Sequence, residues 1–145
     1  MSTKIGLVVS RWNQLIVDRL VEAADQVLDA AGISEGSVVR MEVPGAFEIP
    51  QGCKAIIDNA NVDAVVTLGC IIRGQTPHFD YVAAECARGI NQLAIATGVP
   101  ISFGVLTCDS SDQALDRAGG EFGNKGEEAA QAALSLLASC RELAR

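Results

Sequence analysis

The stretch from residue 63 to residue 72 limits most strongly what this chain can fold into, because nearly all of its side chains are apolar. Its β-branched residues and polar flanks are typical of a strand that helices cover on both faces, as in a parallel sheet. A turn with glycine and proline follows at residues 73–77, and helical periodicity begins directly after it. Strands that alternate with helices in this way predict an α/β protein.

The only histidine, His78, lies where this helix is expected to begin. Thr76 is predicted as the N-cap and Pro77 as the first helical residue, since proline loses no hydrogen bond there. Backbone N–H groups at a helix start lack partners and attract anions, phosphate above all. The positive helix end also favours the neutral imidazole, which can accept a proton. The junction is a candidate active site, and a surface histidine that merely follows a helix cap is the alternative.

Four apolar runs and five helical patterns divide the chain. Strands are predicted at residues 4–10, 37–43, 63–72 and 101–108. Helical spacing is found at residues 15–28, 47–57, 77–97, 111–118 and 127–143, with a glycine-rich loop at 119–125. Crossovers of this length suit right-handed parallel connections. We therefore predict a three-layer α/β/α fold with a four-stranded parallel sheet flanked by helices, in which ligands bind beyond the carboxyl ends of the strands.

Length and charge exclude several classes of protein. A chain of 145 residues is predicted to form one domain, residues 1–145. The net charge of −7 disfavours nucleic acid and anionic membranes as partners. The start is too short and polar for a signal peptide, and no apolar run approaches a membrane span, so a cytoplasmic location is expected. Neither a Gly-x-Gly-x-x-Gly motif after the first strand nor a P-loop is present, which disfavours dinucleotides and nucleoside triphosphates.

The cysteine pattern indicates a reducing compartment and no metal site. The five cysteines are odd in number and widely spaced in apolar surroundings, so they are predicted to be reduced core residues. With one histidine and no Cys-x-x-Cys motif, we expect no metal. A nucleophilic role for Cys70 or Cys108 is disfavoured because no basic residue is adjacent in sequence.

Two unusual residues follow the first and second strands. Trp12, the only tryptophan, could stack on a planar heterocycle, or it could be a loop aromatic that covers the core. Glu48 is expected in the first turn of the second helix, where a carboxylate is favourable to the helix dipole. The N–H groups of Ala46 and Phe47 beside it could bind a polar ligand, although a structural role alone would explain Glu48.

Two basic residues, Arg117 and Lys125, flank the glycine-rich loop in a chain that has few cations. A guanidinium can hold a phosphate through two parallel hydrogen bonds, so Arg117 is a candidate phosphate clamp. The alternative is a solvated helix end, where both charges would only face water.

Five motifs in order closely resemble 6,7-dimethyl-8-ribityllumazine synthase, and the resemblance extends from the first strand to the last helix. The motifs are Ser10-Arg11-Trp12-Asn13, Val43-Pro44-Gly45-Ala46-Phe47-Glu48-Ile49-Pro50, Ile72-Arg73-Gly74-Gln75-Thr76-Pro77-His78-Phe79, Phe103-Gly104-Val105-Leu106-Thr107 and Gly123-Asn124-Lys125-Gly126.

The resemblance implies a flavodoxin-like fold and a transferase of riboflavin biosynthesis that needs no cofactor. Such enzymes condense 5-amino-6-(D-ribitylamino)uracil with 3,4-dihydroxy-2-butanone 4-phosphate and release phosphate and water. An archaeal-type riboflavin synthase of the same fold and a non-catalytic flavin- or lumazine-binding protein are the alternatives.

By resemblance, the site residues fall into three groups. His78 matches the histidine that transfers protons. The phosphate-binding positions correspond to Gly74, Gln75, Thr76 and Arg117. The positions that bind the pyrimidine and its ribityl chain correspond to Trp12, Asn13, Gly45, Ala46, Phe47, Glu48, Ile71, Ile72, Phe103 and Lys125.

Three departures from the family pattern affect none of the mapped catalytic groups. They are Gln75, the segment Gly119-Gly120-Glu121-Phe122, and Cys108. Glu121 adds a negative charge near the expected path of the phosphate.

The resemblance also implies an assembly. Family members form a homopentamer or stack twelve pentamers into a hollow shell, and adjacent subunits share each active site. We expect at least the pentamer, and the unlengthened loop at residues 119–125 favours the shell. The last helix also favours an assembly, because it carries more apolar side chains than are needed for one face that packs on the sheet.

Overall fold

The central sheet has four parallel strands, as predicted. The structure is a computed structural model that describes residues 2–145. Its strands are β1 (Ile5–Ser10), β2 (Val38–Val43), β3 (Ala64–Ile72) and β4 (Ile101–Cys108), in the spatial order β2-β1-β3-β4. The order reverses between β1 and β3, so the chain leaves these two neighbours towards opposite faces of the sheet. Such a switch point opens a crevice at the carboxyl ends of the two strands.

Helices cover both faces of the sheet. They are α1 (Gln14–Ala30), α2 (Ile49–Ala60), α3 (His78–Thr97), α4 (Ser111–Asp116) and α5 (Lys125–Leu143). The apolar faces of α1 and α5, together with α4, share one buried cluster with the sheet, and α2 and α3 share another cluster on the opposite face. The predicted three-layer arrangement is confirmed.

Strand β3 lies at the centre of this packing. Its first seven residues, from Ala64 to Cys70, are buried, and only its last two are partly exposed. Burying a Val, Leu or Ile side chain stabilises a fold by about 1.5–3 kcal/mol relative to leaving it exposed. The apolar run is therefore explained by the two helical layers that enclose it.

Close packing between α1 and α5 depends on one glycine. A Cβ atom at Gly126 would overlap the carbonyl oxygen of Leu20. Only glycine allows the first turn of α5 to approach the backbone of α1 at this point. The contact fixes Lys125, which begins α5, against the rest of the fold.

The predicted cap of α3 is wrong. Pro77 is the N-cap, the helix begins at His78, and Thr76 lies exposed in the preceding turn. The N–H of Asp80 donates to the carbonyl oxygen of Pro77 at 2.9 Å. The first helical hydrogen bond therefore starts one residue later than the Thr-Pro pattern indicates.

The glycine-rich segment is a small hairpin and not an open loop. Strands β5 (Ala118–Gly120) and β6 (Gly123–Asn124) pair in antiparallel fashion. Gly119 and Gly123 have φ angles of 102° and 82°, which favour glycine. The helix before the hairpin ends at Asp116, two residues earlier than predicted, since the chain already enters β5 at Ala118.

Candidate active site

A cleft of about 470 Å³ lies at the carboxyl ends of β1, β2 and β3. Its walls come from the loops after these strands and from the first turn of α3. The lining residues are Trp12, Asn13, Gly45, Ala46, Phe47, Glu48, Cys70, Ile71, Ile72, His78 and Val82. The volume falls in the range of about 300–1,000 Å³ that small-molecule sites occupy. We call this space the switch-point cleft.

Trp12 forms one wall of the switch-point cleft. Its side chain is 71% exposed, so it does not serve as part of the core. A Cβ atom at Gly45 would lie only 3.0 Å from the Cδ1 atom of Trp12. The absence of a side chain at Gly45 therefore lets the backbone approach the indole closely. An exposed aromatic ring held in this way offers a flat surface for stacking.

Asn13 connects the loop after β1 to the end of β3. Its side-chain amide donates a hydrogen bond to the carbonyl oxygen of Cys70 at 2.9 Å. Its backbone is left-handed, with φ 61° and ψ 48°, and α1 begins at the next residue. Asparagine tolerates this conformation better than most other residues. Asn13 thus fixes the floor of the cleft across the switch point.

The turn after β2 is closed by Glu48. One carboxylate oxygen of Glu48 accepts a hydrogen bond from the N–H of Gly45 at 2.9 Å, and the N–H of Glu48 donates to the carbonyl oxygen of Gly45 at 3.2 Å. The short 3₁₀ helix Ala46–Glu48 lies between these contacts. Phe47 is 56% exposed there. The structural role considered for Glu48 is therefore present, and its carboxylate also borders the cleft.

His78, the first residue of α3, is exposed and borders the same cleft as the turn that follows β2. Gly74, Gln75 and Thr76 lie exposed in the turn that leads to it. Val82, which sequence reasoning missed, follows one helical turn after His78 and supplies an apolar part of the lining. The spacing of four residues places both side chains on one helix face.

Cys70 borders the cleft but is a poor nucleophile. Burial raises the pKa of its thiol to about 12, so the thiol stays protonated near neutral pH. Burial also raises the pKa of Cys108, although the positive charge of Arg117 acts in the opposite direction. These shifts agree with the structural reading of both cysteines.

A second cleft, of about 440 Å³, lies beside β4, α4 and the β5–β6 hairpin. We call it the β4 cleft. Its lining residues are Phe103, Val105, Leu106, Thr107, Cys108, Gln113, Arg117, Phe122, Lys125 and Glu128. Two of these side chains, Arg117 and Lys125, are cationic, which suits an anionic group.

The guanidinium of Arg117 is held from two directions. Its Nη1 atom donates to the carbonyl oxygen of Gln113 at 3.0 Å, and its Cζ atom lies 4.7 Å from the centroid of the Phe122 ring. Sequence reasoning missed both partners. The one available signal was the aromatic residue at Phe122, where a hairpin tip rich in glycine carries a large side chain.

Comparison with known families decides the identity of the fold. A family model described as 6,7-dimethyl-8-ribityllumazine synthase matches residues 2–141. The chain belongs to the 6,7-dimethyl-8-ribityllumazine synthase family. The parallel sheet flanked by helices agrees with the flavodoxin-like fold of lumazine synthases. The matched range includes both clefts, so the family assignment covers every candidate site residue.

The site residues predicted by resemblance to lumazine synthase fall into three sets. The first set borders the switch-point cleft and consists of Trp12, Asn13, Gly45, Ala46, Phe47, Glu48, Ile71, Ile72 and His78. The second set, Phe103, Arg117 and Lys125, borders the β4 cleft. The third set, Gly74, Gln75 and Thr76, lies exposed in the turn before α3 and borders neither cleft. Ile72 and Cys108 are paired in register, and they border different clefts. Within one chain, the structure therefore brings together one part of the predicted site and leaves the other part separate.

Other surfaces of the lumazine synthase fold are less suited to phosphate. A groove of about 510 Å³ runs along α1, and four of its lining residues are acidic: Asp18, Glu22, Asp25 and Asp29. Their charge would repel an anionic substrate.

Within residues 2–145, no group of three His, Cys, Asp or Glu side chains could hold a metal ion. No helix in the described part of the chain is long and apolar enough to cross a membrane.

Proposed function

We propose that this member of the lumazine synthase family condenses 5-amino-6-(D-ribitylamino)uracil with 3,4-dihydroxy-2-butanone 4-phosphate to 6,7-dimethyl-8-ribityllumazine, with release of phosphate and water and without a cofactor. The observation that carries the proposal is the composition of the switch-point cleft. It combines the exposed indole of Trp12, the turn at residues 45–48 with its backbone polar groups, and the only histidine of the chain. These three features match a planar ring, a polyhydroxylated chain and a proton transfer.

The pyrimidine is proposed to stack on Trp12 between the apolar borders Ile71 and Ile72. Aromatic stacking of this kind contributes about 0.5–1.5 kcal/mol beyond the area it buries. The ribityl chain would run along the turn at residues 45–48, where backbone N–H groups and the second oxygen of the Glu48 carboxylate can meet its hydroxyls. Asn13, through its hydrogen bond to Cys70, would fix the floor of the cleft beneath the pyrimidine ring.

The phosphate of the second substrate is proposed to bind at the start of α3. Gly74, Gln75 and Thr76 precede that helix end, whose positive dipole favours an anion. The guanidinium of Arg117 would complete the phosphate site with two parallel hydrogen bonds. The Nη1 atom of Arg117 already donates one hydrogen bond to the carbonyl oxygen of Gln113, so its remaining N–H groups would make that contact.

The reaction needs proton transfers and alignment more than a strong nucleophile. The amine attacks the ketone, water leaves, phosphate is expelled and the second ring closes, and each step moves protons. His78 is proposed as the general acid and base, a role worth roughly 10²–10⁴-fold in rate. Holding both substrates in register can lower the barrier by a further amount, on the order of 7–11 kcal/mol in favourable cases.

The complete site is proposed to form between subunits. The switch-point cleft of one chain and the β4 cleft of a neighbour would then face each other, so that Phe103, Arg117 and Lys125 reach the substrates. The exposed aromatic residues support this arrangement: among the six in the chain, Trp12, Phe47, Tyr81, Phe103 and Phe122 are exposed and Phe79 is buried.

We propose a homopentamer of single-domain subunits, residues 1–145, in the cytoplasm, with twelve pentamers in a hollow shell as the larger form. On α5, Leu136 is 50% exposed and Leu143 is 90% exposed, which leaves apolar surface for a neighbour.

The decisive experiment is the reaction itself. The purified protein, in the presence of a chelator, is expected to convert the two substrates to a fluorescent lumazine. Absence of product would overturn the proposal. Conversion of lumazine supplied alone would instead indicate a riboflavin synthase, and tight lumazine binding without turnover would indicate a binding protein.

A further inference from the structure

Arg73 connects three elements at the edge of the switch-point cleft. Its Nε atom donates to the carboxylate of Asp109 at 2.9 Å, and its Nη1 atom donates to the carboxylate of Asp80 at 3.2 Å. Its guanidinium carbon lies 4.4 Å from the centroid of the Phe79 ring. We call these four residues the Arg73 clamp.

The clamp residues come from three different parts of the fold. Arg73 directly follows β3, Asp109 directly follows β4, and Asp80 lies in the first turn of α3. The N–H of Arg73 also donates to the carbonyl oxygen of Cys108 at 2.8 Å, which continues the sheet pairing by one residue. One side chain therefore ties the start of α3 to the ends of both neighbouring strands.

The first turn of α3 has little other support from side chains. In the part of the chain that the structure describes, residues 2–145, no side chain caps the helix at Pro77. Residues 73–78 are all exposed, and Phe79 is the first buried residue after them. The orientation of His78 therefore depends on contacts made by the residues just after it, and Asp80 and Phe79 both contact Arg73.

The same clamp also reaches the contacts that hold Arg117. The N–H of Asp109 donates to the side-chain oxygen of Gln113 at 2.7 Å, and Arg117 donates to the carbonyl oxygen of that same Gln113. Asp109 is thus shared between the clamp at the start of α3 and the turn of α4 that places Arg117. A displacement of Asp109 would therefore change the positions of residues at both clefts.

We propose that Arg73 is a positioning residue, which acts through Asp80 and Asp109 to fix the start of α3 and so to aim His78 into the cleft. The role rests on the proposed function, since it concerns the reaction of that site. Arg73 donates two hydrogen bonds from nitrogens held in one plane, and a lysine ammonium could not reproduce this geometry.

Stabilisation of the whole fold does not explain the ion pairs of Arg73. The side chains of Arg73, Asp80 and Asp109 are 46%, 60% and 67% exposed, and ion pairs this exposed contribute little to global stability. Their geometry can still matter for catalysis, because misplacing a reacting group by about 1 Å can slow a reaction on the order of 10²-fold.

The test compares Arg73→Gln with the matched control Arg88→Gln. Arg88 also lies in α3 and pairs with Glu85 at 3.3 Å, on an exposed part of the helix. Amide hydrogen exchange, followed by mass spectrometry, should be roughly two- to ten-fold faster across residues 73–84 in Arg73→Gln. In Arg88→Gln the exchange of the same segment should match that of the unmodified protein.

Steady-state kinetics separates positioning from substrate contact. For Arg73→Gln, kcat should fall on the order of 10- to 100-fold, while the KM values of both substrates change by less than about three-fold. Arg73→Lys should recover only part of the lost kcat. Asp109→Asn removes the negative charge from one arm of the clamp and should show the same changes to a smaller extent. It serves as the second variant if Arg73→Gln does not fold.

Two results would overturn the proposal. One is unchanged exchange at residues 73–84 together with unchanged kcat in Arg73→Gln and Asp109→Asn. The other is a rise in the KM of the butanone phosphate alone, which would make Arg73 a direct phosphate ligand. If the unmodified protein forms no lumazine, the proposed function fails, and the exchange rates alone then decide whether the clamp exists.

Discussion

The side-chain amide of Asn13 and the carbonyl oxygen of Cys70 form a hydrogen bond of 2.9 Å that spans the switch point of the sheet. The bond joins the loop after β1 to the end of β3, two segments separated by 57 positions in the chain. It holds the two sides of the switch-point cleft at a fixed distance, while the backbone at Asn13 turns through a left-handed conformation to begin α1.

This bond predicts different costs for two substitutions. Asn13→Gly keeps the left-handed turn but loses the hydrogen bond, which should lower the free energy of unfolding by about 0.5–1.5 kcal/mol. Asn13→Ala should cost roughly 1 kcal/mol more, because alanine is strained at positive φ. Urea denaturation measures both values. The control is Asn61→Gly, at the exposed C-cap of α2 with φ 54°, which should change stability by less than about 0.5 kcal/mol.

His78 and Arg117 should fail in different ways when they are changed. His78→Gln keeps a polar side chain but cannot transfer protons, so kcat should fall on the order of 10²–10⁴-fold. Arg117→Ala should mainly raise the KM of the butanone phosphate and spare the binding of the pyrimidine. Equal loss of affinity for both substrates in Arg117→Ala would contradict the assigned roles. Steady-state kinetics with each substrate varied in turn makes the distinction.

The buried thiols predict a loss of stability at alkaline pH. Burial raises the pKa of Cys53, Cys70 and Cys86 to about 12, from an ordinary value of 9.0. Between these values the unfolded chain loses protons that the folded chain retains, so the free energy of unfolding falls as pH rises. The slope is at most about 1.4 kcal/mol per pH unit for each thiol. Denaturation curves at increasing pH measure it.

A cysteine substitution provides the comparison for that slope. Cys70→Ala should reduce the alkaline slope, whereas Cys140→Ser should leave it unchanged, since Cys140 is exposed. In the native protein a thiol reagent should modify Cys140 first, and all five cysteines should react after unfolding. Rapid modification of the buried thiols in the native state would contradict the burial argument.

Gly126 should not tolerate a larger residue. The Cβ atom of Gly126→Ala would collide with the carbonyl oxygen of Leu20, so α1 and α5 must separate, at a cost of about 1–3 kcal/mol. Thermal unfolding should show a clear decrease in Tm. Gly36→Ala is the matched control, because a Cβ atom there would meet no atom within 4 Å, and its Tm should stay close to that of the unmodified protein.

The proposed shared site predicts complementation between impaired subunits, measured at a low concentration of the butanone phosphate. Trp12→Ala and Arg117→Ala alter different clefts of the same chain. When the two proteins are dissociated together and reassembled, some interfaces should combine two intact clefts and regain part of the activity. Light scattering on the reassembled protein gives the mass. Full activity in a species of monomeric mass would overturn the proposal of a shared site.

The amino-acid sequence by itself determined the layered α/β fold and the edge of the sheet that carries the candidate site. Local patterns were sufficient for this, because strand and helix periodicity depend on neighbours a few residues apart. Strand β4 begins and ends at the predicted residues, and the buried run of β3 is explained by helices on both faces. The parallel order then placed Trp12, Glu48 and His78 at one edge of the sheet.

Only the tertiary structure decided which of these side chains meet. The bond between Asn13 and Cys70, the clamp of Arg73 on Asp109, and the separation of Arg117 from the switch-point cleft all depend on strand register and on side-chain direction. Arg73 and Asp109 are 36 positions apart, a distance over which local periodicity carries no information. Folding brings such pairs together because β3 and β4 are adjacent and in register, and that pairing is a property of the whole sheet.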